Sequence, residues 1–172
     1  ETAIDTLEEN VKELEEKIDK MENKMDSLVK KKPEINEYHQ ILKTCPGTGS
    51  LLSFRVLVKT NGFKKDVGYK DLSSHIGICP FKNQSGTSWD KKAKSRGSGN
   101  AAIRKLLRLA ARSVKTHNEK FRKYYLRKRE EGKPKPLVLN NIGNKLLKIL
   151  FAMARDKKEY IPNHKSVNPA IT

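Results

Sequence analysis

Residues 137–155 read LVLNNIGNKLLKILFAMAR. Ile142, Leu146, Leu147, Ile149, Leu150 and Met153 fall at helical spacing, and the run is too long for a strand. The stretch reads as a strongly apolar helix. Working backwards, Gly132-Lys-Pro-Lys-Pro136 is a spacer. His117–Glu131 is a second helix, with Phe121, Tyr124, Tyr125 and Leu126 set among six Lys or Arg. Ala101–Val114 is a third, with Ile103, Leu106, Leu107, Ala110 and Val114 on one side. Strand signals are weak throughout, so the predicted class is all-α.

The opposite end of the chain has a different pattern. Ile4, Leu7, Val11, Leu14, Ile18, Met21, Met25 and Leu28 alternate steps of three and four, a seam of nearly four heptads. β-Branched residues at a with Leu at d favour a parallel dimer. A parallel pair also sets Lys17 opposite the partner's Glu22. Residues 1–32 are therefore expected to form a homodimeric coiled coil through residues 4–28. The plain alternative is an amphipathic helix packed on its own chain. Lys30-Lys31-Lys32-Pro33 ends the helix, because the residue before proline is pushed out of the α region. A helical domain is expected over 33–160, and a flexible tail over 161–172.

Charge divides along the same boundary. The chain carries 37 Lys and Arg against 20 Asp and Glu, a net charge of +17. Residues 1–32 net −3 and the remainder +20. Clustered charge of one sign costs stability unless a polyanion neutralises it, and nucleic acid is the first candidate. A generally solvated basic surface is the bland alternative. Cys45 and Cys79 lack His or Cys neighbours at zinc spacing and read as reduced thiols of an intracellular protein. No membrane span or signal peptide is expected. The chain does not begin with Met, which suggests that sequence upstream is missing.

Two stretches carry candidate chemistry. Residues 34–44 (EINEYHQILKT) and Leu51–Val58 read as short helices around Cys45-Pro46-Gly47-Thr48-Gly49, the pattern of a helix-hairpin-helix. Gly47 and Gly49 would let the backbone approach a phosphate at a helix start, or would simply cap two helices. Asp71–Pro80 reads as a short helix broken at Gly77 and Pro80. Residues 81–100 (FKNQSGTSWDKKAKSRGSGN) read as a long functional loop, since that composition cannot build a core.

The order of motifs from Ile41 to Tyr160 resembles one family: the transposases of insertion sequence 110 and 116 type, the Piv/MooV group of DNA recombinases. The matching stretches are Ile41–Gly49 (ILKTCPGTG), His75–Pro80 (HIGICP), Gln84-Ser85-Gly86, Gly99–Arg104 (GNAAIR), Phe121–Gly132 (FRKYYLRKREEG) and Lys145–Arg155 (KLLKILFAMAR). One departure is local: where the family usually has basic residues just before the Gly-Asn pair, Ser98 stands here and Arg96 lies two residues earlier.

The resemblance implies a two-part enzyme that cuts and rejoins DNA. A RuvC-like N-terminal domain would supply four acidic ligands for a divalent metal, Mg. This domain would supply the nucleophilic Ser85 and bind double-stranded DNA. Insertion-sequence members are guided by a structured RNA, so a guide RNA is expected as a partner. A bacterial or archaeal cytoplasmic, nucleoid-associated location follows.

A serine hydroxyl attacking a phosphodiester holds the strand covalently and keeps the bond energy for rejoining. Lys91, Lys92, Lys94 and Arg96 follow Ser85 and could stabilise charge on the phosphate oxygens. Asn100 and Arg104 are further candidates for DNA contact. The ten acids beyond residue 32 form no two-metal constellation, so no metal is expected on this chain. From the residues alone, Ser85, Ser88, Ser95 and Ser98 are equal candidates. The resemblance singles out Ser85. The competing reading is a non-catalytic helix-hairpin-helix module that binds nucleic acid and dimerises.

Overall fold

The computed structural model describes residues 2–64, 67–85, 89–95 and 99–162, with the backbone path alone for 80–94. Within these, the chain runs α1 (Thr2–Lys30), α2 (Pro33–Lys43), α3 (Ser50–Lys59), α4 (Tyr69–Ile76), β1 (Pro80–Ser85), β2 (Trp89–Ser95), α5 (Ala101–His117), α6 (Glu119–Glu130) and α7 (Lys135–Asp156).

Local chemistry sets these boundaries. Pro33 opens α2 at a position whose N–H has no helical partner in any case. Asn118 ends α5 and begins α6, its Oδ1 accepting from the Phe121 N–H at 3.3 Å. Gly77, at φ +76°, ends α4 in the left-handed region, and the Ile78 N–H returns to the Ser73 carbonyl at 3.1 Å.

α7 is the central helix. Ile142, Leu146, Leu147 and Leu150 of α7 are fully covered, as are Leu42, Val56 and Ile76, while Ile103, Leu107 and Leu72 keep 1–2% exposure. α7 packs against α2, α4, α5 and α6. Each such side chain contributes roughly 1.5–3 kcal/mol of burial. α7 is also long and apolar enough by composition to cross a membrane, but half of that stretch is buried inside the domain, as a core helix should be.

The helical class stands, with one departure inside it. The segment expected as a loop contains an antiparallel hairpin. Neither strand alternates apolar and polar residues or is rich in β-branched side chains, so the usual strand signal is absent.

None of the residues of α1 is buried. Its last turns lean on α2 and α3, where Met25, Asp26 and Val29 are partly covered. The seam itself remains open: Ile4, Leu7, Val11, Leu14, Ile18, Met21 and Leu28 are each more than half exposed. Of the tail expected over 161–172, residues 163–172 lie outside the described residues.

Candidate functional site

A helix that stops leaves its last carbonyls without helical donors. At the end of α4 those carbonyls are taken up from other elements. The Asn100 N–H donates to the His75 carbonyl at 3.1 Å. Arg104 Nη1 donates to the Ile76 carbonyl at 2.8 Å. Two residues on, Asn140 Nδ2 of α7 donates to the Ile78 carbonyl at 3.1 Å. Asn100 also caps α5, its Oδ1 accepting from the Ile103 N–H at 3.0 Å. Gly99 makes this closeness possible. Its φ is +107°, and a β-carbon there would stand 2.1 Å from the His75 carbonyl oxygen. The HIGICP and GNAAIR stretches therefore meet in space, and the hairpin leaves from between them.

Pro80 and Ser95 pair at the base of the hairpin. Phe81 then faces Lys94, Asn83 faces Lys91, Gln84 faces Asp90, and Ser85 faces Trp89. The register slips between Phe81 and Asn83, where the β2 side carries an extra residue around Lys92. Ser85 is the last residue of β1, at the end away from the root. Lys91, Lys92 and Lys94 all lie on β2, alongside the strand that carries Ser85. Of the residues expected here, Arg96, Gly86, Ser88 and Ser98 lie outside the described residues.

The two candidate glycines of the α2–α3 turn differ. Gly47, at φ +77°, faces α5: a β-carbon there would lie 2.9 Å from Val114 Cγ1 and 3.0 Å from the Ala110 carbonyl oxygen. Packing alone accounts for it. Gly49 has open space where a β-carbon would stand and begins α3 with no side-chain cap. Beneath the turn, burial pushes the Cys45 thiol up to about 11, with the Thr48 hydroxyl pulling the other way. Neither Cys45 nor Cys79 is in a disulfide.

Behind the turn lies a buried polar group. His39 is buried in α2 and stacks on Phe54, centroids 4.4 Å apart. Its Nδ1 is 2.9 Å from Ser53 Oγ. Its Nε2 faces Asp26 Oδ1 of α1 at 3.6 Å, beyond hydrogen-bond distance. Burial first, then the nearby Lys43, lowers the His39 pKa against the pull of Asp26. Ser53 is fully covered and His39 nearly so, which closes the histidine to substrate, while Asp26 of α1 at its edge is partly exposed. No local sequence signal marks a histidine whose partners lie 13 and 14 residues away.

Among the described residues, no three His, Cys, Asp or Glu side chains gather to hold a metal ion. The donor set among the described residues does not fit the two-metal chemistry that the resemblance implies. Asn100 and Arg104, expected at DNA, have polar atoms engaged in the root of the hairpin.

A chain of net charge +17 whose helical body raises a lysine-bearing hairpin from a three-sided root has a basic domain suited to a polyanion. The chain belongs to the transposase IS116/IS110/IS902 family, whose profile matches residues 39–126. That span includes the α2–α3 turn, the hairpin and the α4 and α5 sides of its root. The chain is 30% identical over 134 residues to the pilin gene-inverting protein of Moraxella bovis, covering 77% of this chain and 42% of that protein. It is 29% identical over 126 residues to the 44.8 kDa protein of insertion element IS116 from Streptomyces clavuligerus, covering 72% and 31%. It is 26% identical over 136 residues to the 42 kDa protein of insertion element IS900 from Mycobacterium paratuberculosis, covering 78% and 34%. The chain thus spans less than half the length of these relatives.

Proposed function

We propose that this chain is the DNA-binding, serine-bearing part of a transposase or site-specific recombinase, and that Ser85 is its nucleophile. The observation that carries this reading is the hairpin: Ser85 ends β1 beside a lysine-bearing strand, on a root held by α4, α5 and α7. A nucleophile must be presented to its phosphate in a fixed geometry, and a clamped hairpin presents one better than a free loop.

In this reading, Ser85 Oγ attacks phosphorus in line. The Oγ–P bond forms as one bond from phosphorus to a sugar oxygen breaks, and that oxygen leaves with a proton. The phosphodiester is exchanged, not hydrolysed, so the reverse step rejoins DNA. Lys91, Lys92, Lys94 and Arg96 offset the charge that gathers on the phosphate oxygens. Acidic metal ligands would come from another part of the complete protein, and a structured RNA would guide it. Gly49 would admit a phosphate to the start of α3, in the manner of a helix-hairpin-helix. Two chains would join through the open seam of α1, residues 4–28. The setting is the bacterial or archaeal cytoplasm.

The test is Ser85→Ala in the complete protein. Strand transfer should be lost while DNA binding stays nearly intact, since one hydroxyl is removed and no charge changes. Retained strand transfer would refute the assignment. The second reading, a non-catalytic binding and dimerisation module, draws on the open start of α3 and predicts that Ser85→Ala changes nothing.

A further inference from the structure

α6 and α7 bring cations together over aromatic rings. On α6, Lys120, Tyr124, Arg127 and Lys128 follow one another at steps of four, three and one, which places them on one side of the helix. From α7, Lys145 Nζ lies 3.8 Å from the centre of the Tyr124 ring, and the Arg127 guanidinium lies 5.8 Å from the same ring. One turn further along α7, Lys148 Nζ lies 5.2 Å over the ring of Tyr69, which belongs to α4. The Tyr69 hydroxyl is in turn held by Asn144 Oδ1 at 2.5 Å.

The group is short of counter-charge: Glu131, beside Lys128 and acting also on Arg127, is the acid near it among the described residues. Lys128 pairs with Glu131 at 2.7 Å. Among the described residues, no carboxylate lies within ion-pair distance of Lys120, Arg127, Lys145 or Lys148. Partial burial, then the charges of Arg127, Lys120, Lys128 and Lys148, push the Lys145 ammonium below its ordinary range. Stacking on a tyrosine face attracts each cation to the ring. It does not remove the repulsion between neighbours. A plain solvated surface would spread its lysines, whereas this one holds them together.

The patch has a direction. Asn140, Asn144 and Lys148 lie at four-residue spacing along α7, and Asn140 holds the root of the hairpin through the Ile78 carbonyl. Eight residues of helix cover about 12 Å. Lys120 to Arg127 covers about 10 Å, over which one strand of duplex DNA offers about three phosphates.

We infer that Lys120, Arg127, Lys145 and Lys148 form a backbone-binding track for duplex DNA that leads to the root of the serine hairpin. This rests on the DNA-binding reading above and assigns part of that binding to a surface outside the hairpin and the glycine turn. Tyr69 and Tyr124 hold the cations in place; they do not stack on bases.

The test uses the whole chain and a duplex DNA of about 30 base pairs, with affinity followed from about 50 to about 200 mM salt. Replacing Lys120, Arg127, Lys145 and Lys148 together by Gln should lower the slope of log affinity against log salt by about three, roughly one unit for each phosphate left without its cation. Gln at Lys12 and Lys20 of α1, which lie off the heptad seam, should leave the slope unchanged. If the patch variant keeps the wild-type slope while Gln at Lys91, Lys92 and Lys94 lowers it, the track is wrong and DNA binding stands. If the wild-type chain binds no duplex, the broader reading falls and takes the track with it. A fall in affinity confined to duplex RNA of the same sequence also overturns the track. Should the quadruple variant not fold, amine acetylation of the unmodified chain decides: added duplex DNA should protect Lys145 and Lys148, and unprotected lysines there refute the proposal.

Discussion

Gly99→Ala should break the root of the hairpin, and the cost can be worked from the structure. A side chain at φ +107° is strained by about 1–3 kcal/mol. The new β-carbon would also stand 2.1 Å from the His75 carbonyl oxygen, a backbone atom, so the 99–100 turn must move away from α4. That movement opens the Asn100–His75 hydrogen bond, worth about 1 kcal/mol net. The total is about 2–4 kcal/mol, or a fall of roughly 5–15 °C in Tm for a domain of this size.

Two glycines act as internal controls. Gly132→Ala shares the left-handed φ (+76°) with no nearby atom, and Gly49→Ala has an ordinary φ and open space. Thermal denaturation followed by circular dichroism should rank Gly99→Ala well below Gly132→Ala, with Gly49→Ala nearest the wild type. Amide exchange at Asn100 should rise sharply in Gly99→Ala. If Gly99→Ala melts with Gly132→Ala and Asn100 stays protected, the close approach of α4 and α5 does not hold the hairpin.

Three further outcomes are expected. Leu147→Ala empties a fully covered site in α7 and should cost about 2–5 kcal/mol in chemical denaturation; a cost under about 1 kcal/mol would mean the core is not centred there. His39 has a lowered pKa in the fold, so its neutral form is favoured there while the unfolded chain still takes up the proton. Stability should be fully present above the ordinary histidine range and be lost as pH falls from about 6.5 towards the folded value, and His39→Gln should flatten that slope; an unchanged slope would contradict the burial argument. Sedimentation of the chain at micromolar concentration should give a dimer that Leu14→Asp separates, and a monomeric wild type would rule out the α1 seam as a self-association face.

The helices were legible because their cores repeat every three to four residues. The periodic runs around Ile103, Phe121 and Leu146 place α5, α6 and α7 within a few residues of their observed ends. Proline and asparagine mark several of those ends through local chemistry that one sequence displays. The hairpin was not legible. PFKNQS and WDKKAKS show no strand alternation, and what closes the segment is a contact between His75 and Asn100, 25 residues apart. The same distance hid the work of Asn100 and Arg104, which by residue type suit a phosphate but donate to α4 carbonyls here. Gly47 and Gly49 looked alike as sequence. Only the position of Ala110 and Val114 on α5 separates a packing glycine from an open one. The buried His39 depends on Asp26 and Ser53 from two other helices, a meeting that periodicity cannot express.

The central claim is that Ser85 becomes joined to DNA, and a covalent adduct tests it most directly. The complete protein should be trapped on a DNA substrate during strand exchange, digested, and the modified peptide located by mass spectrometry. A nucleotide is expected on the peptide containing Ser85, with no adduct in Ser85→Ala. An adduct on Ser88, Ser95 or Ser98, or strand exchange that proceeds without any protein–DNA linkage, would contradict it.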